Sequence, residues 1–249
     1  MFEPRDYRKG MGDDRFVSFE AVFRETDLWI GVDPGSFKEG MADFTLQSIR
    51  RLRDQLDGWA KEDNRFLHAL SPYQERENPP RIVHRMMDHG RRAEVGPMAS
   101  VAGVLAQEIG RSIDRRFGVE EIVVENGGDI WAKIRTPLSF SVFAGRSPLS
   151  CRVGLTVDPA HSPFGMATSS GTVGHSFSFG KADAVVVVCR DAGLADAYAT
   201  AFCNQVKTEG DIEPILDRIG EIDEIWGILI VMNGRMGVRG VFPLHLPEA

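Results

Sequence analysis

Cysteine is scarce. Cys151, Cys189 and Cys203 are an odd number with no CxxC spacing, which fits neither a disulfide framework nor a zinc site and leaves reduced core thiols. Basic charge is also in short supply: 29 Lys plus Arg stand against 36 Asp plus Glu, a net charge of −7, so the electrostatic footprint of a general nucleic-acid binder is missing. No apolar run approaches the ~20 residues that cross a bilayer; Ala184 to Cys189 and Trp226 to Met232 are far shorter. The opening Met1-Phe-Glu-Pro-Arg-Asp-Tyr-Arg-Lys9 is charged, with no apolar stretch behind it, which gives the expectation of no secretory signal and a cytoplasmic location. Walker A, GxGxxG, HExxH and nucleophile-elbow motifs are absent as well.

What remains is an ordinary globular composition, 43% hydrophobic and 26% charged over 249 residues, enough for one large domain or two closely packed halves. Alternation over residues 16 to 32 predicts a hairpin, and apolar residues at Leu46, Ile49, Leu52, Leu56 and Trp59 predict a long amphipathic helix within 41 to 70. Short helices are expected over 81 to 92 and 212 to 219. Met98 to Phe117, rich in small residues, should be a buried helix that approaches a backbone or ligand closely, and Ala192 to Val206 is a second helix rich in small residues; both should be central. Glu121 to Ile134 reads as strand, Asn-Gly-Gly turn and strand, with Phe140 to Ala144 continuing the sheet. Four consecutive valines mark Lys181 to Arg190 as a central strand, and Trp226 to Val241 forms a last hairpin turning at Asn233-Gly234. The order small-residue helix, then Ile122-Val-Val-Glu-Asn-Gly-Gly, returns as small-residue helix, then Leu229-Ile-Val-Met-Asn-Gly-Arg. Duplication and coincidence both account for that echo, since Asn-Gly is the commonest hairpin turn.

Three segments carry candidate chemistry: Val95 to Gly103, Glu125-Asn-Gly-Gly-Asp129, and Ala167-Thr-Ser-Ser-Gly-Thr-Val-Gly-His-Ser176. Each exposes backbone N–H groups or hydroxyls without bulky side chains, as a phosphate requires, though Asn-Gly-Gly is also an ordinary tight turn and a Ser/Thr/Gly stretch an ordinary surface loop. Asp196 and Thr200 stand at i and i+4 and project from one helix face. A carboxylate beside a hydroxyl suits Mg²⁺, which takes one or two protein carboxylates and completes its shell with water and substrate phosphates. The alternative is an Asp in the first helical turn that merely favours the dipole. Of the six histidines only His175 sits in a candidate loop, where it is placed to act as a base or to grip a phosphate.

In this order the segments resemble the ApbE superfamily, which includes Mg²⁺-dependent FAD:protein FMN transferases. The resemblance runs from about residue 95 to 206: the first glycine-rich segment is matched by Gly96 to Gly103, the Asn-x-Gly-Gly-Asp-like turn by Glu125 to Asp129, the Ala-Thr-Ser-Gly segment and following His by Ala167 to Gly171 with His175, and the Ala-Asp-Ala-x-x-Thr-Ala helix by Ala195 to Ala201. The resemblance implies an α+β fold of two similar sheet and helix halves, about 1–150 and 151–249, packed as one unit with the site between them. It also implies that Asp196, Thr200 and the carbonyl of Ala99 hold Mg²⁺. Ala99, Ser100, Asn126, Gly127, Gly128, Asp129, Thr168, Ser169, Ser170 and Gly171 would line the flavin nucleotide, and His175 would be the base. The implied reaction is attack of a protein hydroxyl on FAD, releasing AMP and leaving FMN attached; the alternative is a flavin- or nucleotide-binding protein of the same fold without transfer, or one that acts on another small molecule. Expected partners are a flavin or nucleotide, an acceptor protein and a second copy of the chain, with neither nucleic acid nor membrane. Departures from the family pattern are specific: its first-motif Lys falls at Ala102, its leading Asp at Gly96, and Ser176-Phe-Ser-Phe-Gly180 replaces the Asp-Pro-x-Thr-Gly after the His. Gly-Pro-Met-Ala-x-Val-Ala-Gly is the signature of a small branch of the superfamily.

Overall fold

The computed structural model describes residues 8, 15–74, 78–173 and 178–246. The chain opens with the expected hairpin, β1 (Val17–Phe23) and β2 (Thr26–Val32). Helix α1 (Met41–Glu62) buries Ile49, Leu52, Leu56 and Trp59 as its periodicity predicts. It stops well before residue 70, because Asp63 turns extended and its carboxylate accepts the N–H of Arg65 at 3.2 Å, starting the separate short α2 (Arg65–His68). Helix α3 (Arg81–Ala93) follows, then a 3-10 turn at Pro97–Ser100 leads into α4 (Val101–Phe117), which ends at Gly118 in a left-handed conformation. Next come β3 (Ile122–Asn126), β4 (Asp129–Lys133), β5 (Leu138–Ser141), β6 (Gly154–Val157), β7 (Phe164–Ser169) and β8 (Ala184–Cys189). Helices α5 (Ala192–Gln205) and α6 (Ile212–Ile219) precede β9 (Ile225–Met232), β10 (Arg235–Gly240) and the two-residue β11 (Leu244–His245).

The fold is α+β: an eight-stranded sheet in the order β1-β2-β3-β4-β7-β8-β9-β10, antiparallel at every pairing, with helices on one face. Strands β1 to β4 fill one half and β7 to β10 the other, each set interrupted by helices after its second strand, an arrangement compatible with two similar halves. Helices α1, α3 and α4 pack on the first half around Ile49, Met86, Ile109 and Trp131, and α5 and α6 on the second around Val185, Val187, Phe202 and Ile215. The 140–144 segment does not continue the sheet. β5 leaves it to join β6 and β11 in a three-stranded sheet, because the face away from the helices is also apolar and needs a cover, which Val142, Leu155 and Val157 give to Ala132, Val186 and Val231. Covered on both faces, β8 is buried at every residue.

The small-residue helices are central, as expected. A Cβ on Gly103 of α4 would stand 2.2 Å from the carbonyl oxygen of Ala192, and one on Gly165 of β7 would stand 2.2 Å from the Cα of the same Ala192. The start of α5 is therefore wedged between α4 and the sheet at a distance only glycine permits. Among the described residues no helix is long and apolar enough to cross a membrane.

Candidate active site

Four elements meet where α4 begins, and each contributes a segment that the sequence singles out. Asn126, at the end of β3 and 5% exposed, donates from Nδ2 to the carbonyl of Ala102 at 3.1 Å. The turn beyond it is the expected tight hairpin, with positive φ at Gly127 (68°) and Gly128 (102°), backbone that glycine adopts without strain. Gly128 faces Thr168 of β7: a Cβ on Gly128 would stand 3.8 Å from the Thr168 Cβ. Ser169 follows, and its hydroxyl meets that of Thr200 on α5 at 3.2 Å. One turn earlier on α5, Asp196 accepts the N–H of Gly103 at 3.0 Å, which returns the circuit to α4. Asn126, Gly128, Thr168, Ser169, Thr200 and Asp196 thus form a closed ring around the first turn of α4, drawn from both halves of the sheet.

Asp196 is the electrostatic centre of that ring. It is 8% exposed, and burial pushes its carboxyl up, to about 7; the N–H groups of Gly103 and Ala102 offset only part of that penalty. Among the described residues it forms no ion pair. It sits in the second turn of α5 and not the first, so stabilisation by the helix dipole does not account for it: the N-cap is Asp191, whose Oδ1 accepts the N–H of Leu194 at 3.2 Å. A buried carboxylate held by N–H dipoles, with a hydroxyl one turn on, is a donor set that fits a hard divalent cation.

Other expected site residues have different occupations. Ser100 is fully buried and donates its hydroxyl to the carbonyl of Pro97 at 3.0 Å, while the Ala99 N–H closes the same 3-10 turn on the carbonyl of Gly96 at 3.1 Å. The stretch read as a loop from Ala167 begins as the last residues of β7, whose small and hydroxylated side chains hide it from a hydrophobicity pattern. Ser170 then caps the bend by accepting the N–H groups of Thr172 at 3.1 Å and Val173 at 2.9 Å, and the Gly171 N–H reaches the carbonyl of Ala182 at 2.9 Å. Asp129 is buried at the first position of β4. His175 lies outside the described residues.

A second polar cluster at the other end of the α4–α5 contact went unread. Asp191 accepts from Gln107 Nε2 at 2.7 Å and from Arg85, with His89 Nε2 3.3 Å from its Oδ1, while Gln107 Oε1 takes the N–H of Ala192 at 2.9 Å and Arg85 also pairs with Glu108. Burial would raise the Asp191 carboxyl, but His89, Arg85, Gln107 and the Leu194 N–H together hold it below the usual carboxylate range. Burial drives His89 down, to about 4, against the raising effect of Asp191, so the imidazole is neutral at pH 7. The N-cap pattern, an Asp directly before a helix of small residues, was the available signal for Asp191.

Comparisons with known proteins bear on family and fold. The family profile described as AbpE bacteria matches residues 8–218. A UPF0280 protein of Methanocaldococcus jannaschii is 35% identical over 228 residues, covering 89% of this chain and 90% of its own length. Among solved structures, the flavinyl transferase ApbE of Pseudomonas stutzeri superposes with a TM-score of 0.61 at 13% identity, covering 90% of this chain and 94% of that one. The apbe protein of Thermotoga maritima superposes with a TM-score of 0.56 at 14% identity, covering 90% and 96%. Those two likenesses establish a shared fold, and the match along most of the sequence establishes more: the chain belongs to the AbpE bacteria family, alongside the UPF0280 proteins.

Proposed function

We propose that the chain binds a flavin nucleotide together with Mg²⁺ and acts on the FAD pyrophosphate, either transferring FMN to an acceptor hydroxyl or cleaving FAD. The observation that carries this reading is Asp196, a buried carboxylate whose protonation is favoured near neutrality and which faces no cation among the described residues. Asp196, Thr200 and the carbonyl of Ala99 would hold the metal, which when bound would neutralise charge on the pyrophosphate oxygens. The glycine turn from Asn126 to Asp129 and the end of β7 through Gly171 would take the nucleotide, their N–H groups and hydroxyls meeting phosphate oxygens and the glycines leaving room for close approach. His175 is the proposed base for the attacking hydroxyl.

Ala102 favours a second reading. The family's first-motif Lys falls here, so no cation of that segment faces the phosphates, and the carbonyl of Ala102 is taken up by Asn126. A flavin-binding protein of the same fold, without transfer, is consistent with that loss. Calorimetric titration of FAD into wild type and Asp196→Ala, with and without Mg²⁺, tests the site, and release of AMP separates the two readings. Binding that needs both Mg²⁺ and Asp196, weakened at least a hundredfold in the variant, is expected; equal binding by both proteins without metal would sink the proposal.

A further inference from the structure

Glu125 opens the glycine turn of the site yet belongs to none of the proposed ligand sets. It is fully buried, and each of its oxygens has a distinct partner. Oε1 accepts the N–H of Gly128 at 2.7 Å, the residue that lies against Thr168; Oε2 accepts Nε of Arg8 at 2.7 Å. Arg8 is itself 8% exposed; its Nη2 also pairs with Glu125 Oε2 at 2.7 Å, and the guanidinium reaches the first hairpin at Asp27 Oδ1 (2.8 Å), the carbonyl of Asp27 (2.9 Å) and Glu20 (3.4 Å). One side chain from the start of the chain therefore joins β1, β2 and the end of β3. The turn it reaches needs such a restraint, because two consecutive glycines at positive φ have the widest conformational freedom of any part of the ring.

We propose that Arg8 is a positioning residue for the candidate site: its guanidinium orients the Glu125 carboxylate, which holds the Gly128 N–H and so fixes the turn against Thr168 for nucleotide binding. The role rests on reading that turn as part of a flavin-nucleotide site. It requires the planar fork of arginine, since Nε and Nη2 converge on Glu125 Oε2 while Nη1 and Nη2 also reach Asp27 on the hairpin, a set of acceptors that a single ammonium cannot serve together.

The test pairs amide hydrogen exchange, resolved by NMR at Gly128, with titration of FAD and Mg²⁺ in wild type, Arg8→Lys and Arg8→Ala, the last also with millimolar guanidinium ion. In Arg8→Ala, Gly128 should exchange at least tenfold faster while Val187 and Ile230 in the central strands change little, FAD should bind at least tenfold more weakly, and guanidinium should recover part of both effects. Arg8→Lys, which keeps the charge and the better chance of folding, should show the same pattern at smaller amplitude. Wild-type values in Arg8→Lys, or a uniform rise at Gly128, Val187 and Ile230 alike, would overturn the proposal. Because exchange is read without ligand, a wild type that fails to bind FAD while Gly128 still responds to Arg8 would remove the flavin reading and leave the restraint standing.

Discussion

Asp191, the N-cap of α5, is partly exposed and Asp196, one turn into the same helix, is buried, and their surroundings push the two carboxyls in opposite directions. Asp191 accepts from Arg85, Gln107 and its own helix N-terminus with His89 beside it, and its carboxyl is held below the ordinary range. Asp196 accepts from the backbone of α4, at Gly103 and Ala102, and its carboxyl rises to about 7. A charge met by cations and amides acts as a fastener. One met by backbone dipoles keeps an unspent attraction for a cation, which is the signature expected of a binding site. The glycine that lets α4 touch α5 serves the second aspartate and the glutamine one turn further on serves the first, so the same helix contact is structural at one end and receptive at the other.

The largest loss of stability that would break this contrast is expected at the fastener. Asp191→Ala leaves Arg85 with Glu108 alone and strips the buried Gln107 amide of its acceptor. Removing the acceptor of charged hydrogen bonds in this partly buried cluster, and leaving the buried Gln107 amide unsatisfied, typically costs about 2–3 kcal/mol. For a chain of this size that lowers the melting temperature by about 5–10 °C. Thermal unfolding at pH 7 checks it; a loss of only a degree or two would mean that the cluster carries no structural load. Asp196→Ala should leave the melting temperature of the metal-free protein close to that of wild type.

The sequence displayed one end of the contact and hid the other for a physical reason. Asp196 and Thr200 are spaced by one helical turn within a run of alanines, so both the face they share and the tight packing beneath them follow from periodicity. The turn at Gly127-Gly128 and the strands on either side of it were legible from the Asn-Gly-Gly signal between two apolar runs. Asp191, Arg85, Gln107 and His89 come from three helices, and only folding puts them together; no local spacing announces a contact between residues 85 and 191. Strand β7 was hidden because Gly165, Ala167, Thr168 and Ser169 lack the bulk that marks a strand, and they are small because Ala192 of α5 presses on Gly165. The second sheet escaped because β5 alternates between half-buried and exposed residues, with nothing local to say which sheet it joins.

A gain of a distinctive kind should come from removing the unspent charge. The Asp196 carboxyl has an ordinary value of 3.8 and rises to about 7 in the fold, so the unfolded chain releases its proton first as pH rises. The contribution of this group is then fully present below pH 4 and is lost as pH climbs toward 7. Asp196→Asn keeps an acceptor for Gly103 and cannot ionise. In metal-free buffer it should match wild type near pH 4 and exceed it above pH 7, by about 2–4 kcal/mol at 1.36 kcal/mol per unit. Urea unfolding across that range checks the difference, and added Mg²⁺ should narrow it by stabilising wild type alone. A constant offset at all pH values would show that Asp196 is ionised in the fold without penalty.

The smallest effect sharpens the comparison from the acid side. His89 Nε2 stands 3.3 Å from Asp191 Oδ1, and its Nδ1 is buried without a hydrogen-bond partner among the described residues. Burial first, with Arg85 and Arg92 opposing protonation and Asp191 and Asp88 favouring it, lowers this group from 6.5 to about 4. The unfolded chain therefore takes up the proton first as pH falls, and the contribution of His89 is present above pH 6.5 and lost progressively toward pH 4. At pH 5 the loss should amount to about 1–2 kcal/mol at 1.36 kcal/mol per unit. His89→Gln keeps a polar side chain beside Asp191 and does not titrate, so its stability should decline less than that of wild type between pH 7 and pH 5 even though it starts slightly lower. Parallel curves for the two proteins would mean that the imidazole accepts a proton inside the cluster and pairs with Asp191 as an ion. Divergent curves would place the acid-sensitive group at the fastener and the alkali-sensitive one at the site, on one helix.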